Sequence, residues 1–168
     1  MTAAFDSGRP FTGSERELLE NTLDLNRMEL VRVVEHLSNI QARRNLVPSL
    51  TTPIALIKHC AAAERIWFQR TLAGMSIEAC DGQATTGGDG SFHVADDETL
   101  AGVITEYEAA CRRSKELAAT HHLDDTVEHH LVGIVSLRFI YLAMIAEVAR
   151  HAGHADILVE QIRAAPST

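Results

Sequence analysis

The residues with the clearest chemical promise lie near the C-terminus, in the stretch Ala146 to Asp156, AEVARHAGHAD. It places Glu147, His151, His154 and Asp156 in an otherwise apolar segment. If that segment is a helix, each residue advances the side-chain direction by about 100°. With Glu147 as zero, His151 then lies at about +40° and His154 at about −20°, so the three share an arc of about 60°. Asp156 points to roughly the opposite side and drops out of the group. A fourth candidate, His59, is expected on another helix, aligned with Leu56, Ala63 and Ile66 on an apolar face. Facing helices in a bundle bring such faces together. Two imidazoles and a carboxylate would then suit Zn²⁺ or Ni²⁺ and leave positions open for water or a substrate. The plainer alternative stays open: a hydrogen-bonded core histidine, and a Glu147 paired with Arg150 or His151 at a surface.

These residues need helices to position them, and the apolar spacing predicts helices almost throughout. Thr12-Gly-Ser-Glu15 has the form of a capping box, followed by a helix to about Leu37 with Leu19, Leu23, Leu30, Val34 and Leu37 near one face. Ser38 to Leu50 reads as a connection. Thr52-Pro53 pairs a capping hydroxyl with a proline suited to the first helical position, and predicts a second helix to about Gly74. Residues 75–95, with DGQATTGGDG, are too rich in glycine to continue it and form a long insertion of the kind that often borders sites. A third helix is expected from about Asp96 to His121. Its buried stripe is Leu100, Val103, Ile104, Tyr107, Cys111, Ser114 and Ala118. HHLDDTVEHHLVGIV reads as a polar connection whose histidines, His121, His122, His129 and His130, are expected mainly in solvent. Ser136 can cap a fourth helix to about Ala164. Four long helices predict an all-α four-helix bundle in one domain spanning residues 1–168.

Composition narrows the function classes. The 168 residues carry a net charge of −8 and no basic stripe, which argues against nucleic-acid binding. No run of about 18 apolar residues suggests a membrane span, and the N-terminal stretch lacks the pattern of a secretory signal. Cys60, Cys80 and Cys111 form an odd, widely spaced set, as expected of reduced thiols in the cytoplasm.

At Leu56-Ile57-Lys58-His59-Cys60-Ala61 and Glu147-Val148-Ala149-Arg150-His151-Ala152-Gly153-His154 the chain resembles the DinB-like metal-dependent bundle proteins. The stretch SLRFIYLAMIAEVARHAGHADIL and the block ERIWF (Glu64 to Phe68) resemble an uncharacterised actinobacterial branch of that superfamily. The resemblance runs from the first helix to about Gln161. It implies an up-down-down-up bundle and a divalent metal held by His59, Glu147 and His151. The His, Glu, His set is similar to that of mycothiol-dependent maleylpyruvate isomerases. Two positions depart from the wider pattern: His154 stands where many such chains have glutamine, and Ala143 where relatives often have histidine. Thiol-dependent transfer or isomerisation follows as the implied activity, with a low-molecular-weight thiol such as mycothiol and an electrophile as small-molecule partners. His154, a departure from that pattern, is the candidate catalytic group, taking the thiol proton or holding the water it displaces, with metal ligation as its alternative role; a homodimer is implied. The alternative is a non-catalytic metal-binding or stress-related interaction protein.

Overall fold

The computed structural model describes residues 11–82 and 87–164. Residues 1–10, the QATT stretch of the glycine-rich insertion (83–86) and residues 165–168 lie outside the described residues. The chain is mostly helical. Helix α1 spans Glu15–Val34 and α2 is a short helix, Asn39–Ala42. Helix α3 spans Pro53–Glu64 and runs on as a π-helix, Arg65–Leu72. Helix α4 spans Leu100–Ala118 and α5 spans Leu137–Ala164. Between the last two lies a hairpin of β1 (Thr126–His129) and β2 (Gly133–Ser136).

Each long helix starts where a side chain can satisfy the free N–H groups of its first turn. Thr52 and Thr99 accept from Ala55 and Gly102, and Ser136 accepts from Phe139. The first helix corrects the sequence reading by two residues. Its box is Ser14 with Glu17, not Thr12 with Glu15, because Ser14 takes the extended backbone of a cap and the Glu17 carboxylate returns to its N–H at 2.8 Å. The connection from Ser38 contains a second box, Ser38 with Gln41, which nucleates α2.

Helix α1 packs along α5, and α3 packs against α4 and α5. Leu23, Leu30 and Val34 of α1 meet a core that includes Leu56, Phe68, Tyr107, Ile140 and Met144. The buried stripe of α4 is the one expected, with Ile104 only partly buried. Helix α3 differs. Eleven of its twelve residues are buried, so it has no single apolar face and runs through the middle of the packing. His59 is the exception, partly open to solvent.

The polar connection before α5 is the largest departure from expectation. Thr126 pairs with Ser136 and His129 with Gly133, and Gly133 takes φ +81°, a left-handed conformation that glycine adopts without strain. His129 is buried rather than exposed, because its ring stacks on Trp67 at 4.7 Å. Burial holds its pKa below the ordinary histidine value, with help from neighbouring His130 and Arg70. His122 and His130 are exposed as expected, and His121 is partly buried. The three cysteines are free, with Cys60 and Cys111 buried. Among the described residues no helix is long and apolar enough to cross a membrane.

Candidate metal centre

Helices α3 and α5 bring His59, Glu147 and His151 together although 88 positions separate the first two. His59 Nε2 lies 2.9 Å from Glu147 Oε1, and His151 Nε2 lies 3.1 Å from the same oxygen. One ligand atom from each residue falls within 4.8 Å of the others. The i,i+4 spacing on α5 sets the Glu147–His151 contact, and the packing of α3 against α5 supplies the third member. His151 is buried, while His59 and Glu147 are partly open, so the group has a wall and a mouth.

The glycine-rich insertion closes one side. Its 3-10 turn, Asp89–Phe92, places Ser91 Oγ 2.7 Å from His59 Nδ1 and stacks the Phe92 ring on the imidazole at 4.2 Å. The segment that follows is pinned to the helices. Lys58 pairs with Glu98 at 2.6 Å, and Arg43 donates to the carbonyls of Ala95 and Glu98. His59 therefore has a fixed ring plane, not merely a fixed backbone.

Hydrogen bonds from His151 and His59 hold the Glu147 carboxyl well below the usual carboxylate range, overcoming the opposing effect of burial. An ionised carboxylate facing two imidazole nitrogens is the donor set of a divalent-metal site. Donor atoms sharing a tetrahedral Zn²⁺ at roughly 2.0–2.2 Å stand roughly 3.3 Å apart, close to the two spacings observed here. The residues fit such an ion.

His154 is not one of the three. Its Nδ1 approaches Nδ1 of His151 at 3.4 Å, on the ring nitrogen turned away from Glu147. His154 is exposed, and its place beside His151 suits an orienting partner for that ring. Asp156 is exposed and separate from the group, as its direction on the helix requires. Glu147 also lies 3.7 Å from Arg150, an exposed side chain that flanks the mouth.

Two contributions had no signal in the sequence. Ser91 and Phe92 reach His59 from a loop, where no periodicity points to a partner. The buried pair of Arg27 with Glu64 ties α1 to α3 beyond the site, at 2.8 and 2.6 Å. A cavity of about 680 Å³ lies elsewhere, lined by residues of α1 and α4 such as Met28, Val31, Tyr107 and Cys111, and by none of the three. Donor chemistry, not cavity size, marks the site.

Fold and side chains define a helical protein with a two-histidine, one-carboxylate group between α3 and α5. The chain belongs to the mycothiol-S-transferase family, a DinB-like family, whose model matches residues 18–164. That range takes in all three residues and both helices that carry them. Among curated proteins and solved structures, no match was found.

Proposed function

We propose that the protein is a metal-dependent transferase that joins a low-molecular-weight thiol, mycothiol or a close analogue, to an electrophile. The observation that carries this reading is the convergence of His59 Nε2 and His151 Nε2 on Glu147 Oε1, in a chain of the mycothiol-S-transferase family. The reading includes an up-down-down-up four-helix bundle forming one domain, a homodimer and a cytoplasmic setting. Zn²⁺ is the preferred ion and Ni²⁺ the second choice, both suited to this nitrogen and oxygen set.

When bound, the ion supplies charge that lowers the pKa of a nearby thiol and makes the thiolate available at neutral pH. His59, Glu147 and His151 would hold it. His154 accepts a hydrogen bond from His151 Nδ1–H, which keeps the His151 Nε2 lone pair directed inward. Phe92 covers one face of His59 and narrows solvent access on that side. The thiol proton leaves through the mouth to water. The thiolate sulfur then attacks an electrophilic carbon: a C–S bond forms, and the leaving group departs with its electron pair.

Purified protein loaded with Zn²⁺ should convert monochlorobimane to its thioether, with release of chloride, when mycothiol is present. His151→Ala should lose that turnover. Failure to turn over with mycothiol or other small thiols, in protein shown to hold stoichiometric metal, would overturn the catalytic reading.

A further inference from the structure

The glycine-rich insertion has no role in the reading above beyond covering the site, yet it holds a fully buried hydroxyl. Ser91 is 0% exposed. Its Oγ stands between two partners, the carbonyl oxygen of Gly88 at 2.6 Å and Nδ1 of His59 at 2.7 Å. A serine hydroxyl has one proton to give. Two oxygens at 2.6 Å need a proton between them, and a carbonyl has none, so the hydroxyl proton points to Gly88. The contact with His59 must then take its proton from the imidazole. His59 carries hydrogen on Nδ1, and in the neutral ring the lone pair falls on Nε2, the atom facing Glu147.

We infer that Ser91 is a positioning residue that fixes the tautomer of His59, making the glycine-rich insertion part of the metal centre. This deepens the proposed function and rests on its assignment of the ligands. A neutral His59 locked in this way presents Nε2 to the carboxylate as acceptor against acceptor, at 2.9 Å. That approach is favourable only with a cation between the two atoms, either a second ring proton that donates to Glu147 or a metal ion that takes its place. With Nδ1–H held by Ser91, Nε2 is the nitrogen left to face a metal ion.

Gly88 is the anchor. It takes φ +80°, a conformation most side chains avoid, and this turn aims its carbonyl back at both the N–H and the hydroxyl of Ser91. A Cβ placed on Gly88 would meet nothing within 4 Å, so Gly88→Ala perturbs the turn through its backbone alone. Phe92, next in sequence, stacks on His59 with its ring plane 15° from the imidazole plane. Hydroxyl and ring together remove both freedoms the imidazole has, its tilt and its proton position.

The test compares wild type, Ser91→Ala and Gly88→Ala by Zn²⁺ affinity in competition with a chromogenic chelator. A second readout is the ¹H–¹⁵N NMR spectrum of the His59 ring, recorded with and without Zn²⁺. The expected result is a loss of roughly 10–100-fold in Zn²⁺ affinity for Ser91→Ala, the range typical of partners that orient a metal-bound histidine. Gly88→Ala should lose a smaller factor in the same direction. The His59 Nδ1–H should be visible and slow to exchange in wild type, and should exchange fast in Ser91→Ala. Unchanged affinity in Ser91→Ala would overturn the inference. So would a wild-type His59 lacking the protected Nδ1–H, which can be read in the metal-free protein. If wild type binds no Zn²⁺ while the protected Nδ1–H is present, the proposed function fails and the assignment of Ser91 to His59 stands.

Discussion

Arg27 of α1 donates two hydrogen bonds, of 2.8 and 2.6 Å, to the two carboxylate oxygens of Glu64 at the end of α3. Glu64 is 0% exposed and Arg27 7%, and Asp24 takes a further hydrogen bond from the guanidinium at 3.0 Å. Burial opposes the charge on Arg27, but the charge and hydrogen bonds of Glu64 more than offset it and push the guanidinium pKa up. Glu64→Ala should destabilise the protein by about 3–5 kcal/mol, because it strands a buried cation. Replacing both partners with apolar residues, as in Arg27→Met with Glu64→Leu, should cost far less. Urea unfolding of the three proteins checks the difference.

Zn²⁺ should raise the melting temperature of the wild-type protein. An ion that binds only the folded state stabilises it by about 2.7 kcal/mol at a hundred times its Kd. For a chain of this size that corresponds to roughly 5–11 °C. His59→Ala, Glu147→Ala and His151→Ala should each remove the shift, whereas Asp156→Ala should leave it intact. Differential scanning calorimetry with and without the ion reads both results.

Stability should fall in acid partly through Glu98. Burial raises its carboxyl pKa, but bonds from Lys58 and the Ala95 N–H bring it below the ordinary value of 4.5. A depressed folded-state pKa contributes stability that is fully present above about 4.5 and is lost as pH falls through the folded value. The melting temperature of Glu98→Gln should therefore lie below that of wild type at pH 7, and the two should converge below pH 4.5. A gap that persists unchanged into acid would exclude this cause.

Thr52→Ala should separate folding from chemistry. Thr52 Oγ1 accepts from the Ala55 N–H at 3.2 Å and so caps the helix that carries His59. Losing such a cap costs typically about 1 kcal/mol, a shift of roughly 2–4 °C here. Zn²⁺ affinity measured well below the melting temperature should remain that of wild type.

Periodic features were legible in the sequence because their cause is local. The α4 stripe from Leu100 to Ala118 follows from helical spacing, and so does the shared arc of Glu147 and His151. Thr52-Pro53 announced its helix by cap chemistry alone. The hairpin was hidden because its alternation is short and interrupted: Glu128 and the adjacent histidines make β1 look polar, while His129 is buried against the ring of Trp67, far away in sequence. Thr12 and Ser14 each stand three residues before a glutamate, and spacing cannot choose between them. Ser91 was invisible for a different reason. Its partner lies 32 residues away, and a serine after GGDG carries no mark of burial.

The distance in sequence between His59 and Glu147 also sets an order of events during synthesis. A ribosome adds roughly 5–20 residues per second, so the 88 positions between them take roughly 4–18 s to translate. Through that interval the nascent chain exposes His59 with neither of its α5 neighbours yet made. Any cation shared by all three would be captured only after α5 has emerged and docked, so loading would follow the packing of α5 on α3.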